Sequence, residues 1–246
     1  MVSLNTSICE VPHIKGVYTT RLKKLGIETF GDLLHHVPSR YDNFSLIARI
    51  ETLQPGETVT IQGNVLALTN TYTRTHLTIQ KAKISDGTGE IDVTWYNQPF
   101  LTKILLPQTS VSLAGCVKLL RDKVFLESPK YEILRYSSAK PIHTGRLVPI
   151  YPETEGVSSK WLRSRIDYIL RYLTPDIPEF FPEDILQKFS LIGEKEAIEQ
   201  IHFPKSYQEE EEARRRLSFD EVFFLQYRAQ QKREEWKTQK TAIRVY

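Results

Sequence analysis

The sequence predicts a mostly β protein of the α+β class, in which a five-stranded barrel is preceded and followed by helical segments. Between residues 58 and 136, apolar residues alternate with polar ones, and this period of two is typical of half-buried strands. Before and after that stretch, apolar residues recur every three or four positions, which indicates helices. The 246 residues, 40% of them hydrophobic, are enough to bury the cores of one to three small domains.

Four segments divide the chain. Residues 1–57 look helical and contain a helix-hairpin-helix-like element, and residues 58–136 hold the barrel. Residues 137–204 read as a Pro-containing linker with short helices, and residues 205–246 are strongly helical. The net charge is only +3, but the barrel segment alone carries nine basic against six acidic residues. We therefore expect any basic surface to lie on the barrel.

Composition disfavours several classes of protein. Cys9 and Cys116 are far apart in sequence, so we expect no disulfide framework and a reducing cytoplasm. The first twelve residues contain no Lys or Arg and no apolar run, unlike a secretory signal. The longest uncharged stretch, residues 58–73, has 16 residues and is too short and too polar to cross a bilayer. We expect a cytoplasmic monomer without a membrane segment.

The first segment contains two short apolar helices. Gly26 is expected to end the first helix, and Thr29 to cap the second, which closes before Pro38. The pair resembles a helix-hairpin-helix element, in which a Gly-hydrophobic-Gly hairpin offers backbone N–H groups to a phosphate. Here we assign that hairpin to Gly16-Val17-Tyr18, where a bulky tyrosine replaces the second glycine. The substitution favours a structural role over direct DNA binding. The apolar positions of the two helices are Leu22, Leu25, Ile27, Phe30, Leu33 and Leu34.

Turns and parity divide the second segment into strands. The apolar residues on either side of Gln80–Lys81 differ in parity, which predicts a bulge there. Residues 85–90, SDGTGE, read as a hairpin turn. A helical stretch over Asn97–Leu105 separates the third strand from the fourth. Five strands with a helix in that place is the order of an OB-fold, a partly open Greek-key barrel. The expected inward residues are Val59, Ile61, Val65, Ala67, Ala82, Ile84, Ile91, Val93, Trp95, Leu101, Ile104, Leu105, Val111, Leu113, Val117, Leu119, Val124 and Leu126.

The stretch VTWYNQPFL, residues 93–101, places two large rings side by side at the end of a strand. Adjacent strand residues face opposite ways, so Trp95 belongs to the core and Tyr96 to the wet face. Asn97 can cap the following helix, and Phe100 lies in its first turn at the same end of the barrel. The outer rings suit either a rim covered by a neighbouring domain or a platform that stacks on bases. Candidate phosphate-binding residues nearby are Arg74, Lys81, Lys83, Lys118, Arg121 and Lys123.

The last segment reads as an exposed helical surface. Ser206 with Glu209, and Ser218 with Glu221, have the spacing of two capping boxes. Residues 210–212 are glutamates that each precede an arginine by four positions, and such pairs stabilise an exposed helix by roughly 0.2–0.5 kcal/mol each. This favours a solvated surface over a nucleic-acid patch. The apolar residues expected to pack against a further domain are Leu217, Val222, Phe223, Phe224 and Tyr227.

Metal and nucleophile chemistry is not indicated. His35 and His36 are adjacent, with no Cys or carboxylate at metal-ligand spacing, which favours surface or helix-end histidines. His202 is expected to pack or to cap, and no G-x-S-x-G elbow is present. We therefore expect no metal and no cofactor in this chain.

The stretch WYNQPFL resembles the W-F-N-Q-x-[YF]-[LV] signature of the wedge domain in RecG-type branched-DNA helicases. Six further stretches resemble that family in the right order, and together they cover nearly the whole chain. These are LGIETFGDLLHHVPSRYD (25–42), GETVTIQGNV (56–65), SDGTGEIDVTWYNQ (85–98), PIYPETEG (149–156), AIEQIHFP (197–204) and ARRRLSFDEVFFLQ (213–226).

The resemblance implies a wedge that binds a stalled replication fork or a Holliday-type junction in DNA repair and recombination. It implies that two aromatic residues stack on bases where the parental duplex splits, and by motif match these are Tyr96 and Phe100. A tyrosine and a phenylalanine keep the stacking ability of the family's residues there. The implied setting is the bacterial cytoplasm, with branched DNA and the helicase motor domains of the same polypeptide as partners.

A phosphate-binding loop is the feature that a motor would need. The nearest match to G-x-x-x-x-G-K-[ST] begins at Gly26, and Asp32 stands where the lysine must be. We therefore expect no ATP hydrolysis by this chain, which would be a helicase fragment or a truncated gene product, with ATP and Mg²⁺ used only by motor domains. The alternatives are an OB-fold that binds single-stranded nucleic acid or RNA, or a protein-interaction domain whose rings are buried against a partner.

Overall fold

The computed structural model describes residues 3–12, 14–73, 77–134 and 142–238. Five strands form a barrel in the order β2-β3-β4-β6-β5, and the pairing of β2 with β5 closes it. The contact between β4 and β6 is parallel, and the other contacts are antiparallel. This order, with α3 between the third and fourth barrel strands, confirms the predicted OB-fold. The elements are β2 (Thr58–Tyr72), β3 (Thr78–Ser85), β4 (Glu90–Tyr96), α3 (Leu101–Ile104), β5 (Ser110–Leu120) and β6 (Lys123–Glu127).

The long strand β2 closes the barrel by changing partners midway. Its first half pairs with β5 and its second half with β3, and the change occurs at residues 63–64. Gly63 is required there, because a Cβ at this position would lie 2.5 Å from the carbonyl oxygen of Ser85. The register shifts between Val65 and Ala67, so the bulge lies in β2 and Ala67 is exposed.

Strand β3 alternates without interruption, so the predicted bulge near Gln80–Lys81 is wrong. Gln80, Ala82 and Ile84 are all buried on the inner face. The prediction failed because it assigned an inward position only to apolar residues, whereas a glutamine fills this one.

The core of the barrel is apolar, and Trp95 is its largest fully buried side chain. Its indole N–H donates to the carbonyl of Pro129 at 3.0 Å, which satisfies the one polar atom of the ring. Leu101 and Leu105 of the α3 region are buried as predicted, but Ile104 and Leu119 are exposed. A further strand, β7 (Lys130–Ile133), pairs with β5 outside the five-stranded circuit and was not predicted.

The remaining elements form a second region, which we call the helical unit. Its buried residues come from both residues 8–34 and residues 151–198, so the predicted first and third segments share one core. The four-segment division itself stays a prediction. The exception among the remaining elements is the short 3₁₀ turn Ile50–Thr52, whose Ile50 packs in the barrel core. The elements of the helical unit are the 3₁₀ turn Ile8–Glu10, α1 (Val17–Lys23), α2 (Phe30–Leu34), β1 (Arg40–Asn43), β8 (Leu147–Ile150), α4 (Ser159–Tyr168), the π-helical turn Ile169–Leu173, α5 (Glu183–Phe189), α6 (Glu194–His202) and α7 (Tyr207–Thr238).

A two-stranded sheet joins the two regions. β1 pairs antiparallel with β8, although residues 44–146 lie between them in the sequence, and neither strand was predicted. At the seam with the barrel, Phe44 and Val148 pack on Ala114 of β5. The hydroxyl of Thr60 on β2 donates to the carbonyl of Phe44 at 2.7 Å.

The two N-terminal helices confirm one prediction and correct another. Thr29 caps α2, and the Asp32 carboxylate accepts the Thr29 backbone N–H, which completes a capping box. Gly16-Val17-Tyr18 begins α1 and does not form the turn between the helices, so that assignment of the hairpin is wrong. Tyr18 stacks on Trp161 of α4, with ring centroids 4.9 Å apart and an 8° angle between the planes.

Helix α7 is continuous over 32 residues. Ser206 accepts the Glu209 backbone N–H at 3.2 Å, which is one half of the first predicted capping box, whereas the Glu209 carboxylate accepts the backbone N–H of Lys205 at 2.8 Å. Ser218 lies inside the helix, so the second capping box is wrong. Arg216 is fully buried, which corrects the prediction of a wholly solvated charge run. None of the helices in the described part of the chain is both long and apolar enough to cross a membrane.

Candidate nucleic-acid interface

The end of β4 presents two exposed rings beside a fully buried one. Trp95 points into the barrel, whereas Tyr96 is 36% exposed and Phe100 is 50% exposed. The strand stops because Asn97 adopts a left-handed backbone conformation with φ of 54°, a region that Asn tolerates better than most residues. Asn97 therefore forms the turn and does not cap α3 as predicted, since the capping position is Phe100.

Hydrogen bonds to β3 hold this turn. The backbone N–H of Asn97 donates to the Thr78 carbonyl at 2.8 Å, and the Thr78 N–H donates to the Asn97 side chain at 3.2 Å. The Gln98 N–H donates to the side-chain oxygen of Gln80 at 2.9 Å. Phe100 thus follows two consecutive residues, Asn97 and Gln98, that are both hydrogen-bonded to β3.

Tyr96 is held by a side-chain contact on the outside of the barrel. Its hydroxyl donates to one carboxylate oxygen of Glu127 on β6 at 2.8 Å, and Lys118 of β5 donates to the other oxygen. The Lys118 ammonium is the main cause of the lowered pKa of Glu127, and the hydrogen bond to Glu127 raises the pKa of Tyr96. A carboxylate beside a ring that meets nucleic acid would repel phosphate, so the bonded lysine offsets an unfavourable charge.

Three of the predicted basic residues, Lys81, Lys83 and Lys118, lie at exposed positions on the outer face of the barrel, as Tyr96 does. Register places Lys81 of β3 beside Thr94 of β4, and Lys118 of β5 beside Phe125 of β6. Lys83 forms an ion pair with Glu90 at 3.1 Å, just as Lys118 does with Glu127.

The other predicted cations differ in their contacts. Lys81, Arg121 and Lys123 are exposed and form no ion pair within the described ranges. Arg121 lies in the β5–β6 turn, where it and Asp122 both have positive φ. Arg74 lies outside the described residues.

Sequence reasoning missed two residues on this face. Phe125 and Glu127 occupy the outward positions of β6, alternating with the buried Leu126. The parity of Leu126 was a sufficient signal for Phe125, which is half-buried. The role of Glu127 needed the fold, because nothing in the sequence brings it to Tyr96.

Other candidate chemistries find no support in the described part of the chain, where no group of three or more metal-ligating side chains occurs. Cys9 and Cys116 are exposed free thiols. His202 is buried, as its predicted packing role requires: Nε2 donates to the Leu34 carbonyl at 2.8 Å, and Nδ1 accepts from the Tyr151 hydroxyl at 2.9 Å.

Comparison with known proteins identifies the family. A family model described as the RecG wedge domain matches residues 10–172, which include the barrel and much of the helical unit. The chain is 34% identical to the ATP-dependent DNA helicase RecG of Thermotoga maritima over 92% of its length, and 33% identical to that of Synechocystis over 97%. It spans only 29% and 30% of those two relatives.

A solved structure agrees with these matches. The structure of RecG bound to a three-way DNA junction superposes with a TM-score of 0.73 at 32% identity, over 96% of this chain and 32% of the solved one. The likeness extends through the helical unit, so it is not limited to the barrel. The fold of the barrel and the helical unit thus has a known counterpart, and this chain belongs to the RecG wedge family.

Proposed function

We propose that this chain is the branched-DNA-binding wedge of a RecG-type ATP-dependent DNA helicase, and that Tyr96 and Phe100 stack on bases at the branch point. The observation that carries the proposal is the pair of exposed rings projecting from one end of a rigid, closed barrel. Every base has a π-face, so such a pair binds unpaired bases without reading their sequence. The similar solved protein was bound to a three-way DNA junction.

The outer face of the barrel supplies the phosphate contacts in this proposal. Lys81, Arg121 and Lys123 are exposed cations without an ion pair among the described residues, and they are free to meet backbone phosphates. Phosphate contacts position a protein on DNA, whereas the rings confer the preference for a point where the strands part. Fork binding should therefore weaken as salt rises, with a log–log slope of about −0.7 to −0.9 per phosphate contact.

The experiment compares fork and linear-duplex affinity for Tyr96→Ala and Phe100→Ala in the 246-residue chain. Each substitution should weaken fork binding by about 5- to 150-fold, the loss that corresponds to one stacked base, and leave duplex binding nearly unchanged. Tyr172→Ala is a matched control, because Tyr172 is 70% exposed but lies in the helical unit. Melting temperature is measured beside affinity for each variant.

Two outcomes would contradict the proposal. Equal affinity of the unmodified chain for fork and duplex across a salt series would remove the preference for branched DNA. If the two alanine variants lose stability but keep fork affinity, the rings belong to a buried seam with another domain, and the stacking assignment is wrong.

The division of labour with a motor can also be tested. The 246 residues contain no phosphate-binding loop, and Asp32 of the nearest match is engaged in capping α2. The purified chain should therefore neither bind ATP tightly nor hydrolyse it, and ATP-driven movement would come from other parts of the helicase. ATP turnover that a point substitution within these residues abolishes would overturn this assignment.

A further inference from the structure

Gln80 occupies an inward position on β3 that the rest of the strand fills with apolar residues. It lies between Asn70 of β2 and Trp95 of β4 in the register of the sheet, and it is completely buried. A primary amide in such a place loses its water and gains nothing from the apolar neighbours, so its burial is unfavourable unless both of its polar atoms find partners. A leucine or methionine would serve the core better.

Both polar atoms of Gln80 are bonded, and each bond leads out of the core. The side-chain nitrogen donates to the Asn70 side-chain oxygen at 2.7 Å. The side-chain oxygen accepts the backbone N–H of Gln98 at 2.9 Å, which fixes the direction of the amide because that N–H can only donate. The second bond reaches across the strand end and fastens the segment two residues before Phe100.

The fastened segment is otherwise held at its two ends, where Asn97 is bonded to Thr78 of β3 and the buried Leu101 packs in the barrel core. Asn97 turns the chain with positive φ, and α3 begins only at Leu101, so Gln98 and Pro99 form the short bridge that carries Phe100. Pro99 has no N–H to donate. Among the described residues, the bond from the Gln98 N–H to Gln80 is thus the one hydrogen bond that joins residues 98 and 99 to a barrel strand. A binding ring must be held in place by the residues behind it, since a ring that moves freely loses entropy when it stacks.

We propose that Gln80 is a positioning residue that holds Phe100 ready for stacking, through its hydrogen bond to the Gln98 backbone. The proposal rests on the function proposed above and deepens it. It explains why an amide is buried at an inward position of β3, and it predicts that the fork affinity of the barrel and its stability respond in different ways to this one residue.

The test is Gln80→Met in the full chain, with fork affinity, duplex affinity and melting temperature measured together. Methionine fills the same space without polar atoms, and Gln98 is a half-exposed residue, so its N–H can bond to water once Gln80 is replaced. We expect fork affinity to fall by about 3- to 10-fold, less than on loss of the ring itself. Melting temperature should hold or rise, and duplex affinity should not change.

A double-mutant cycle with Phe100→Ala separates positioning from a general effect. In the Phe100→Ala background, Gln80→Met should cause no further loss, because there is no ring left to position. If the two losses multiply, or if Gln80→Met lowers fork and duplex affinity alike, the positioning role is wrong. If Phe100→Ala itself leaves fork affinity unchanged, the proposed function fails, which is a distinct result.

A second variant keeps the test decisive if Gln80→Met does not fold. Asn70→Ala leaves the core untouched, because Asn70 is half-exposed, and removes only the partner that orients the Gln80 amide. It should weaken fork binding by a smaller factor of about two to three, again only while Phe100 is present. An unchanged fork affinity in this stable variant would overturn the proposal.

Discussion

The barrel and the helical unit are built on different kinds of core. Inside the barrel the buried side chains are mostly aliphatic around Trp95, and the groups that would meet DNA project outward. The helical unit buries charged and titratable groups. Arg216, for example, is fully buried and donates to Glu179 through two nitrogens, at 2.8 and 2.9 Å, and to Asp220 at 2.8 Å.

The two cores have different consequences: the apolar core stabilises the barrel, whereas the buried charges orient the elements that carry them. The apolar side chains of the barrel core stabilise it without directional side-chain contacts, so the outer surface of the barrel can carry exposed rings and cations at little cost to folding. Buried charge networks contribute less net stability, because desolvation offsets much of the attraction, but they require particular partners. Carboxylate oxygens of Glu179, Glu194 and Asp220 lie 2.8, 3.2 and 2.8 Å from the Arg216 nitrogens, so three acidic side chains converge on one arginine. We infer that the network sets the direction of α7.

The largest expected effect falls on the barrel core. Trp95→Ala removes a fully buried indole and should reduce the free energy of unfolding by roughly 3–5 kcal/mol. Urea denaturation followed through Trp161 fluorescence, with the exposed Trp236 replaced by Phe, would show whether the helical unit survives this loss. If both regions unfold together, the seam makes them one cooperative unit. Loss of only about 1 kcal/mol would contradict the central role given to this ring.

Acid should act on the helical unit through two groups of opposite sign. Burial raises the pKa of Asp220 to about 7, so the folded unit takes up a proton there and gains stability as pH falls, whereas His202 removes stability over the same range. Burial lowers the pKa of His202 from 6.5 to about 4, so the folded unit binds fewer protons than the unfolded chain between those values. The contribution of neutral His202 to the free energy of unfolding is complete above pH 6.5. It is lost as pH falls toward 4, a decrease of about 2 to 3 kcal/mol.

The measurement is urea unfolding at pH 7, 5.5 and 4.5 with variants that keep either Trp95 or Trp161 as the reporter. His202→Gln should flatten the response of the Trp161 reporter to acid. His35 is a control of opposite sign, because its hydrogen bond to Glu194 raises its pKa and its stabilising effect is present at low pH. If His202→Gln leaves the acid response of the Trp161 reporter unchanged, the role given to His202 is wrong.

A smaller effect is expected where an aromatic pair lies at the surface of the helical unit. Tyr18→Ala should cost the stacking contact with Trp161 and part of its buried area, on the order of 1 kcal/mol. Fork affinity should stay the same, because the structure gives this ring a partner within the protein. A drop in fork affinity without a drop in stability would revive a DNA-binding role for the start of α1.

The smallest effect on stability should come from the outer face of the barrel. Glu127→Gln keeps an acceptor for the Tyr96 hydroxyl but releases Lys118 from its ion pair. The log–log salt slope of fork binding should steepen by about 0.7 to 0.9 if Lys118 then meets a phosphate. Glu90→Gln releases Lys83 on the same face and serves as the matched variant. An unchanged slope in both would place the phosphates elsewhere.

Sequence alone predicted the features that depend on local pattern. The strand order, the opposite directions of Trp95 and Tyr96, and the Thr29 cap follow from parity and from capping chemistry, which are both local. The bulge was misplaced because parity cannot distinguish a shifted strand from an inward glutamine. Its true position in β2 depends on which strand pairs with which residue, and that is a property of the closed barrel.

Long-range partners could not be predicted in the same way. The spacing of Glu212 and Arg216 suits an exposed helix pair, yet the arginine turns inward to Glu179, 37 residues earlier. Likewise β1 and β8 are four residues each and pair across the whole of residues 44–146, so neither carries enough signal alone. For the candidate site, the two rings were predictable from parity and motif, whereas Glu127 and Gln80 emerged only when strands distant in sequence were placed side by side.

Within the described part of the chain, helix α7 is held by buried contacts in its N-terminal half, whereas its C-terminal half extends into solvent. Its 32 residues extend about 48 Å, but the side chains of residues 221–237 are all exposed. The clamp at Arg216 supplies the costly nucleus, so the exposed part has only to propagate turn by turn. Helix–coil exchange should therefore increase with distance from the clamp, and amide protons near Leu217 should exchange with deuterium far more slowly than those near Trp236. The local stability of helix α7 should thus be greatest next to Arg216 and should decrease toward its C-terminal end.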